Sequence, residues 1–165
     1  MNFSQAGITF APNATAQMNV VDTLVTNGTG GILIQPTAGT AKVSIIRTEM
    51  NGNNSYGLRA DSSGGGIVNA SVSDSQAANN TTNGILAVSG SAASTVVINR
   101  SVMANNGTNG VSTSGASATI FVGNSTIEGN QTAAEVVTGS IFTYGSNFVN
   151  GNVTNGTFSG PQSPQ

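Results

Sequence analysis

An asparagine returns along this chain at intervals of 22 to 27 residues, and this regularity constrains the fold more than any other feature. A hydroxyl residue stands two positions after each asparagine, and a glycine or alanine stands two positions after that. The repeated asparagines are Asn27, Asn53, Asn80, Asn106, Asn130 and Asn152. Internal repeats of this length are typical of solenoids and other repeat arrays, so we expect a stack of about six similar units.

Each unit contains two stretches in which apolar residues alternate with other residues. Ile32 and Ile34 belong to the first kind of stretch, and Val43 and Ile45 belong to the second. A period of two indicates β-strands with one face turned inward, whereas a helix needs a period of 3.6. We therefore predict an all-β fold, a parallel β-solenoid of about six coils of 22–27 residues. One domain is expected over residues 1–159, followed by a linker-like tail over residues 160–165.

Stacked coils place equivalent residues on top of one another, about 4.8 Å apart. The amide of each asparagine can then bond to the amide in the next coil, and asparagine also tolerates the left-handed backbone of a tight turn. We predict that the six repeated asparagines form an internal ladder at one turn.

The segment from Ala118 to Asn130 (ATIFVGNSTIEGN) resembles repeats of the right-handed parallel β-helix superfamily, whose members have the pectate-lyase-like fold. It is especially similar to β-helix repeat proteins of bacteria, and the resemblance covers Gly7 to about Thr157. The resemblance implies a right-handed coil, in line with the handedness of parallel crossovers. It also implies a location outside the cell or at its surface.

The composition argues against several functional classes. Charged residues make up 6% of the chain, the net charge is −2, and histidine and cysteine are absent. No basic face is available for nucleic acid, and no apolar run is long enough for membrane insertion. Enzymes of the β-helix superfamily use clustered carboxylates with calcium, or paired aspartates near a histidine. No carboxylate here is expected to lie directly above another in the same column, so we expect neither catalysis nor a metal or other cofactor. They are Asp22, Glu49, Asp61, Asp74, Glu128 and Glu135.

Four charged residues align in one outward column with alternating sign. They are Asp22, Arg47, Asp74 and Arg100. Acid would pair with base between successive coils, which fixes the register of the stack. Glu135 stands at a column otherwise filled by aliphatic residues, and we expect a one-residue shift that buries Ala134 and Val136 in its place.

The first functional hypothesis is a non-enzymatic structural or surface-display module, with self-association through uncapped ends. The second is a carbohydrate-binding β-helix that contacts polysaccharide through Tyr56, which is expected to face outward while Phe142 and Tyr144 face inward. The third is ice binding, suggested by the column of hydroxyl residues that follows the asparagines.

Overall fold

The computed structural model describes residues 3–162, and within that range the chain forms twenty β-strands and no helix. Accordingly, this range holds no helix with the length and hydropathy of a membrane span. The strands, numbered in chain order, lie in three parallel sheets that we call A, B and C. The predicted all-β parallel solenoid of about six turns is confirmed.

Each coil runs through sheet A, then sheet B, then sheet C. Sheet A contains β1 (Phe3–Phe10), β4 (Gly28–Ile34), β7 (Leu58–Asp61), β10 (Asn83–Val88), β13 (Asn109–Ser114), β16 (Thr132–Val136) and β19 (Thr154–Gly156). Sheet B contains β2 (Ala16–Val21), β5 (Thr40–Ile46), β8 (Ile67–Ser73), β11 (Ser94–Asn99), β14 (Ala118–Gly123), β17 (Ser140–Thr143) and β20 (Gly160–Pro161). Sheet C contains β3 (Leu24–Thr26), β6 (Glu49–Asn51), β9 (Gln76–Ala78), β12 (Val102–Ala104), β15 (Thr126–Glu128) and β18 (Phe148–Asn150).

The core is a set of vertical columns of like side chains along the coil axis. In sheet B, for example, Val43 lies over Ala70, which lies over Val96. In sheet C, Met103 lies over Ile127, and both side chains are fully buried. The alternation along each strand places every second residue in this core, as the period-2 pattern requires. The other residues form the outer faces of the three sheets.

Near the C-terminal end, the register follows the shift expected at Glu135. Ala134 pairs with Val111 in the inward column, and Glu135 pairs with Ser112 on the outer face of sheet A. The carboxylate of Glu135 accepts hydrogen bonds from Asn109 and Ser112 and is not buried without partners.

Strand pairing extends slightly further than expected. Strand β20 pairs with β17, with Gly160 next to Phe142. Regular pairing therefore continues two residues into the segment assigned to the tail, the N–H of Gln162 donates to the carbonyl of Thr143, and residues 163–165 lie outside the described residues.

Candidate functional site

Asparagine side chains form a continuous hydrogen-bonded file at the turns from sheet C to sheet A. The Oδ1 atom of Asn106 accepts bonds from the backbone N–H of Asn80 at 3.1 Å and from its Nδ2 at 3.0 Å. Asn106 Nδ2 donates in turn to Asn130 Oδ1 and to a backbone carbonyl, each at 3.0 Å. The same pattern joins Asn53 to Asn80 and Asn130 to Asn152. The predicted asparagine ladder is thus confirmed from Asn53 to Asn152.

The prediction is wrong for Asn27, which lies outside this ladder. Asn27 follows a strand in which Thr26 pairs with Asn51, so the residue level with Asn53 is Gly28. The backbone N–H of Gly28 donates to Asn53 Oδ1 at 3.1 Å. The first turn is one residue shorter than its counterparts, so counting from the hydroxyl residue misplaces the asparagine by one position.

At this turn the left-handed backbone conformation belongs to the residue before each ladder position and not to the ladder asparagine. These left-handed residues are Asn27, Gly52, Asn79, Asn105, Gly129 and Gly151, with φ between 54° and 67°. Only glycine and asparagine occupy the column, because other side chains meet a steric penalty there. The ladder asparagines are therefore selected by their hydrogen bonds and not by left-handed backbone.

A second ladder, which the sequence analysis did not predict, runs along the turns from sheet B to sheet C. The hydroxyl of Ser101 accepts the backbone N–H of Ser75 at 3.2 Å and donates to the carbonyl of Asn99 at 2.9 Å. Ser125 repeats this arrangement with the N–H of Ser101 and a carbonyl two residues back. The sequence signal was the hydroxyl residue that recurs three positions after the inward pairs of sheet B as far as Ser125; in the next coil Asn147 takes this place.

The charged column resolves into two ion pairs at the same turns. Arg47 binds Asp22 with two hydrogen bonds of 2.6 and 2.8 Å, and Arg100 binds Asp74 with two of 2.8 Å. Each arginine bonds to the aspartate of the preceding coil, whereas Arg47 and Asp74 interact only over a longer range. All four residues have left-handed backbone, with φ of 47° or 51°. The predicted alternation is present, but as separate pairs instead of one continuous stack.

Hydrogen bonds and neighbouring arginines lower the pKa of three aspartates, Asp22, Asp61 and Asp74, and so favour their charged form. The hydrogen bonds from Arg47 lower the pKa of Asp22, and those from Arg100 lower the pKa of Asp74. Burial raises the pKa of Asp61, but hydrogen bonds from Ser63 and the charge and hydrogen bonds of Arg59 outweigh it and lower the pKa overall. Within residues 3–162, no three acidic, cysteine or histidine side chains cluster in a way that could hold a metal ion.

The column of hydroxyl residues that follows the asparagines is interrupted. The hydroxyls of Ser55 and Thr82 lie 3.4 Å apart in successive coils. Thr132, however, pairs with Asn109, and its hydroxyl meets that of Thr154 instead, at 3.2 Å. The hydroxyl residues that suggested the ice-binding hypothesis are therefore one position out of line from Thr132 onwards.

Tyr56 lies against the outer face of sheet A and is half-buried. Its ring lies directly on Gly30, where a Cβ atom would overlap it. Burial raises the pKa of the Tyr56 hydroxyl, with Arg59 and Asp61 as its charged neighbours. The ring therefore presents less surface to a ligand than a free-standing tyrosine would.

Three aromatic side chains lie on the outer face of sheet B, and we call them the aromatic row: Phe121 and Phe142, which are partly buried, and Tyr144, which is exposed. The rings of Phe121 and Phe142 have centroids 5.4 Å apart at an angle of 22°, and those of Phe121 and Tyr144 are 6.3 Å apart at 27°. Val97, 41% exposed, continues the column of Phe121 into the preceding coil.

The inward placement predicted for Phe142 and Tyr144 is wrong. Ile141 and Thr143 pair with the inward residues Ile120 and Val122, so Phe142 faces outward, and Tyr144, just beyond the strand, lies 37% exposed. The segment that follows β17 has one more residue than the equivalent turn after Val122. Because strand faces alternate with a period of two, this single extra residue reverses the assignment.

A shallow cavity of about 430 Å³ adjoins the aromatic row, and a second cavity of about 420 Å³ continues along the same face of sheet B. Both reach Val97. The first is lined by Val97, Ile98, Asn99, Gly123, Asn124, Tyr144 and Ser146. The second is lined by Gln17, Asn19, Lys42, Val43, Ser44, Asn69, Ala70, Ser71, Thr95 and Val97. The outer face of sheet B is thus a continuous surface with amides and hydroxyls at one end and aromatic rings at the other.

A comparison with protein-family models finds no match, and comparisons with curated proteins and with solved structures find none either.

Proposed function

We propose that the chain is a non-catalytic β-solenoid that binds polysaccharide on the outer face of sheet B. The observation that carries this proposal is the aromatic row beside a groove lined by amides and hydroxyls. Ligand sites combine apolar and aromatic surface with a few polar groups that fix orientation. Sugars offer the complementary chemistry, because their C–H faces pack on rings and their hydroxyls bond to amides.

The state of the aspartates supports a role without catalysis. A general acid needs a carboxyl group whose pKa is raised towards neutrality. Asp22, Asp61 and Asp74 have lowered pKa values, and each is bound by an arginine of the chain.

The two ladders support binding by a rigid surface. They tie the turns at both ends of sheet C from coil to coil, and the serine ladder begins where the strands of sheet B, themselves paired in register, end. A surface fixed in advance loses little conformational entropy when a ligand binds.

Affinity electrophoresis in gels that contain soluble polysaccharides tests the proposal. The wild-type protein should be retarded by at least one polymer, and Tyr144→Ala should migrate faster in that gel. Tyr56→Ala serves as the matched control, because it removes a tyrosine from sheet A. Loss of retardation in Tyr56→Ala alone would move the binding surface to sheet A, and no retardation in any gel would contradict the proposal.

A structural or display module is the second candidate, and the variable turns between sheets A and B favour it. These turns differ in length from coil to coil, and they include exposed residues such as the stretch Gly90–Ser91. The display role predicts that a short Gly-Ser insertion between Gly90 and Ser91 leaves the melting temperature nearly unchanged, since lengthening a surface loop costs little. The same insertion after Asn79, beside the ladder, should lower it strongly.

We also propose membership of the right-handed parallel β-helix superfamily. The three parallel sheets and the asparagine file support this assignment. An experimental structure in which the coil winds to the left would contradict it.

A further inference from the structure

We infer that the polysaccharide bound by the outer face of sheet B is neutral, and that its sugar rings stack on the aromatic row. This inference rests on the proposed function and specifies its ligand. Three observations support it: the outer face of sheet B has almost no charged residues, its aromatic rings stack on one another, and the arginines of the chain are held in ion pairs.

The outer face of sheet B bears almost no charge. Its three outward columns contain a single charged residue, Lys42, and no carboxylate. Lys42 lines the cavity at the far end from the aromatic row. The groove beside Tyr144 is lined only by apolar, amide, hydroxyl and glycine residues. A polyuronate would bring one carboxylate per sugar into this groove and find no cation there to offset its desolvation.

The remaining cations of the chain are held in ion pairs, and none of them lines this groove. Arg47 and Arg100 form two-bond pairs with Asp22 and Asp74 at the turns from sheet B to sheet C. Arg59 binds the fully buried side chain of Asp61 on sheet A. A polyanion in the groove beside Tyr144 would have to displace one of these pairs, or extend to Lys42 at the far end of the face, to gain a cation. A neutral sugar needs no cation, so it can bind without breaking an ion pair.

The aromatic row has the form of a platform. Phe121 stacks with Phe142 at 22° and with Tyr144 at 27°, so its ring is nearly parallel to each of theirs, and the exposed ring of the three is that of Tyr144. Gly123 lies directly beside the Tyr144 ring, where a Cβ atom would be 3.3 Å from Cδ2. The missing side chain leaves space for the Tyr144 ring beside the sheet, where the residue is 37% exposed. The negative face of an aromatic ring attracts the weakly positive C–H groups of a sugar.

Polar groups that could orient the sugar lie at the edge of the row. Asn124 donates to Asn99 Oδ1 at 3.0 Å and accepts from the hydroxyl of Ser146 at 2.8 Å. These side chains hold one another in place across two coil steps, next to the Tyr144 ring. The groove therefore offers fixed, uncharged hydrogen-bonding groups beside an apolar platform, which is the complement of a neutral glycan.

The experiment compares neutral with acidic polymers by affinity electrophoresis and calorimetry. Hydroxyethylcellulose, mixed-linkage β-glucan and galactomannan are the neutral probes, and polygalacturonate is the acidic probe. We expect retardation by a neutral polymer that persists in about 1 M NaCl, where charges are screened beyond about 3 Å. It should also persist in EDTA, since the binding surface uses no metal.

Four variants locate the site. Tyr144→Ala and Phe121→Ala should each weaken binding about tenfold, the range expected when an aromatic contact is lost. Lys42→Gln and Tyr56→Ala should bind as the wild type does. Near-ultraviolet and far-ultraviolet circular dichroism establishes that each variant is folded, and Tyr144→Ala changes an exposed side chain, so it remains informative should Phe121→Ala fail to fold.

The outcomes separate this inference from the proposed function. Binding to polygalacturonate that is lost in high salt or in Lys42→Gln overturns the neutral ligand but keeps polysaccharide binding. Full affinity in both Tyr144→Ala and Phe121→Ala overturns the aromatic platform. The absence of binding to every polymer overturns the proposed function, and the inference with it.

Discussion

The ladder asparagines from Asn53 to Asn130 are buried, and each carries several hydrogen bonds at once. Asn106 satisfies two groups of Asn80 through Oδ1 and two acceptors through Nδ2, with 2% of its surface exposed. Burying a donor or acceptor without a partner costs about 1–3 kcal/mol. Side chains of this kind therefore influence stability far more than their size suggests.

Asn106→Ala should lower the free energy of unfolding by about 3 kcal/mol or more, because it leaves several buried groups without partners. Urea denaturation followed by circular dichroism measures the change. The matched control is Asn105→Gly, the exposed left-handed neighbour, where glycine fits the backbone and the change should stay below about 1 kcal/mol. Equal effects of the two substitutions would contradict the ladder's role.

Thr113 is the reverse case, a buried hydroxyl in the aliphatic core. Its side chain is fully buried in the inward column of sheet A, and Oγ1 has no hydrogen-bond partner among the described residues. Thr113→Val keeps the shape and removes the unpaired hydroxyl, so we expect a gain of about 1 kcal/mol in unfolding free energy. Ser101→Ala, which removes a hydroxyl with two partners, should destabilise by a comparable amount or more. A loss of stability in Thr113→Val would show that its hydroxyl is bonded.

At the scale of the structural elements, the turns from sheet B to sheet C combine a strained backbone with ion pairs. Arginine and aspartate rarely adopt positive φ, and this conformation costs about 1–2 kcal/mol relative to a favourable residue. The column nevertheless contains both, at φ of 47° and 51°. Each arginine that reaches the aspartate of the preceding coil offsets part of this cost and fixes the neighbouring coils in register.

The pairs make stability depend on pH at the acidic end. The pKa of Asp74 is lowered in the folded chain by the hydrogen bonds from Arg100, whereas the unfolded value is about 3.9. The stabilisation is therefore complete above the unfolded pKa and is lost as the pH falls through the lower, folded pKa. Asp74→Asn should be less stable than the wild type at about pH 7, and the difference should shrink below about pH 4. Denaturation midpoints over this range measure it, and a constant difference would contradict the pairing.

The sequence predicts the elements well and their exact register less well. Period-2 alternation and the recurring asparagine are sufficient to predict the number of coils, most of the inward residues and most of the ladder. They fail where one turn gains or loses a residue, as at Asn27 and at Tyr144, because a one-residue slip leaves the alternation intact but exchanges the faces. The aromatic row was missed for this reason. The left-handed backbone of Arg47 was also beyond prediction, since arginine gives no signal for that conformation.

At the scale of the whole molecule, the solenoid is nearly one-dimensional, because every strand pairs only with its counterparts in the neighbouring coils. Stability in such arrays is close to a sum over repeats and their interfaces. The interior coils bury their core side chains fully, from Ile32 to Ile141, whereas Ile8 and Phe10 in the first coil are only partly buried. Strand β19 is exposed at all of its residues. Stability should therefore be greatest in the middle of the stack and decline towards both ends.

Hydrogen exchange measured by mass spectrometry can test this gradient in one experiment. Amides in the strands from β4 to β15 should exchange slowly, and those in β1 to β3 and β18 to β20 should exchange first, since end coils open locally at little cost. The Asn106→Ala protein adds a directional test. Because its defect lies between the coils of Asn80 and Asn130, protection should fall most in β9 to β16, while β1 to β3 should exchange as in the wild type. Uniform protection along the wild-type chain, or a uniform loss in the variant, would mean that the stack unfolds as a single cooperative unit and that the ladder does not act locally.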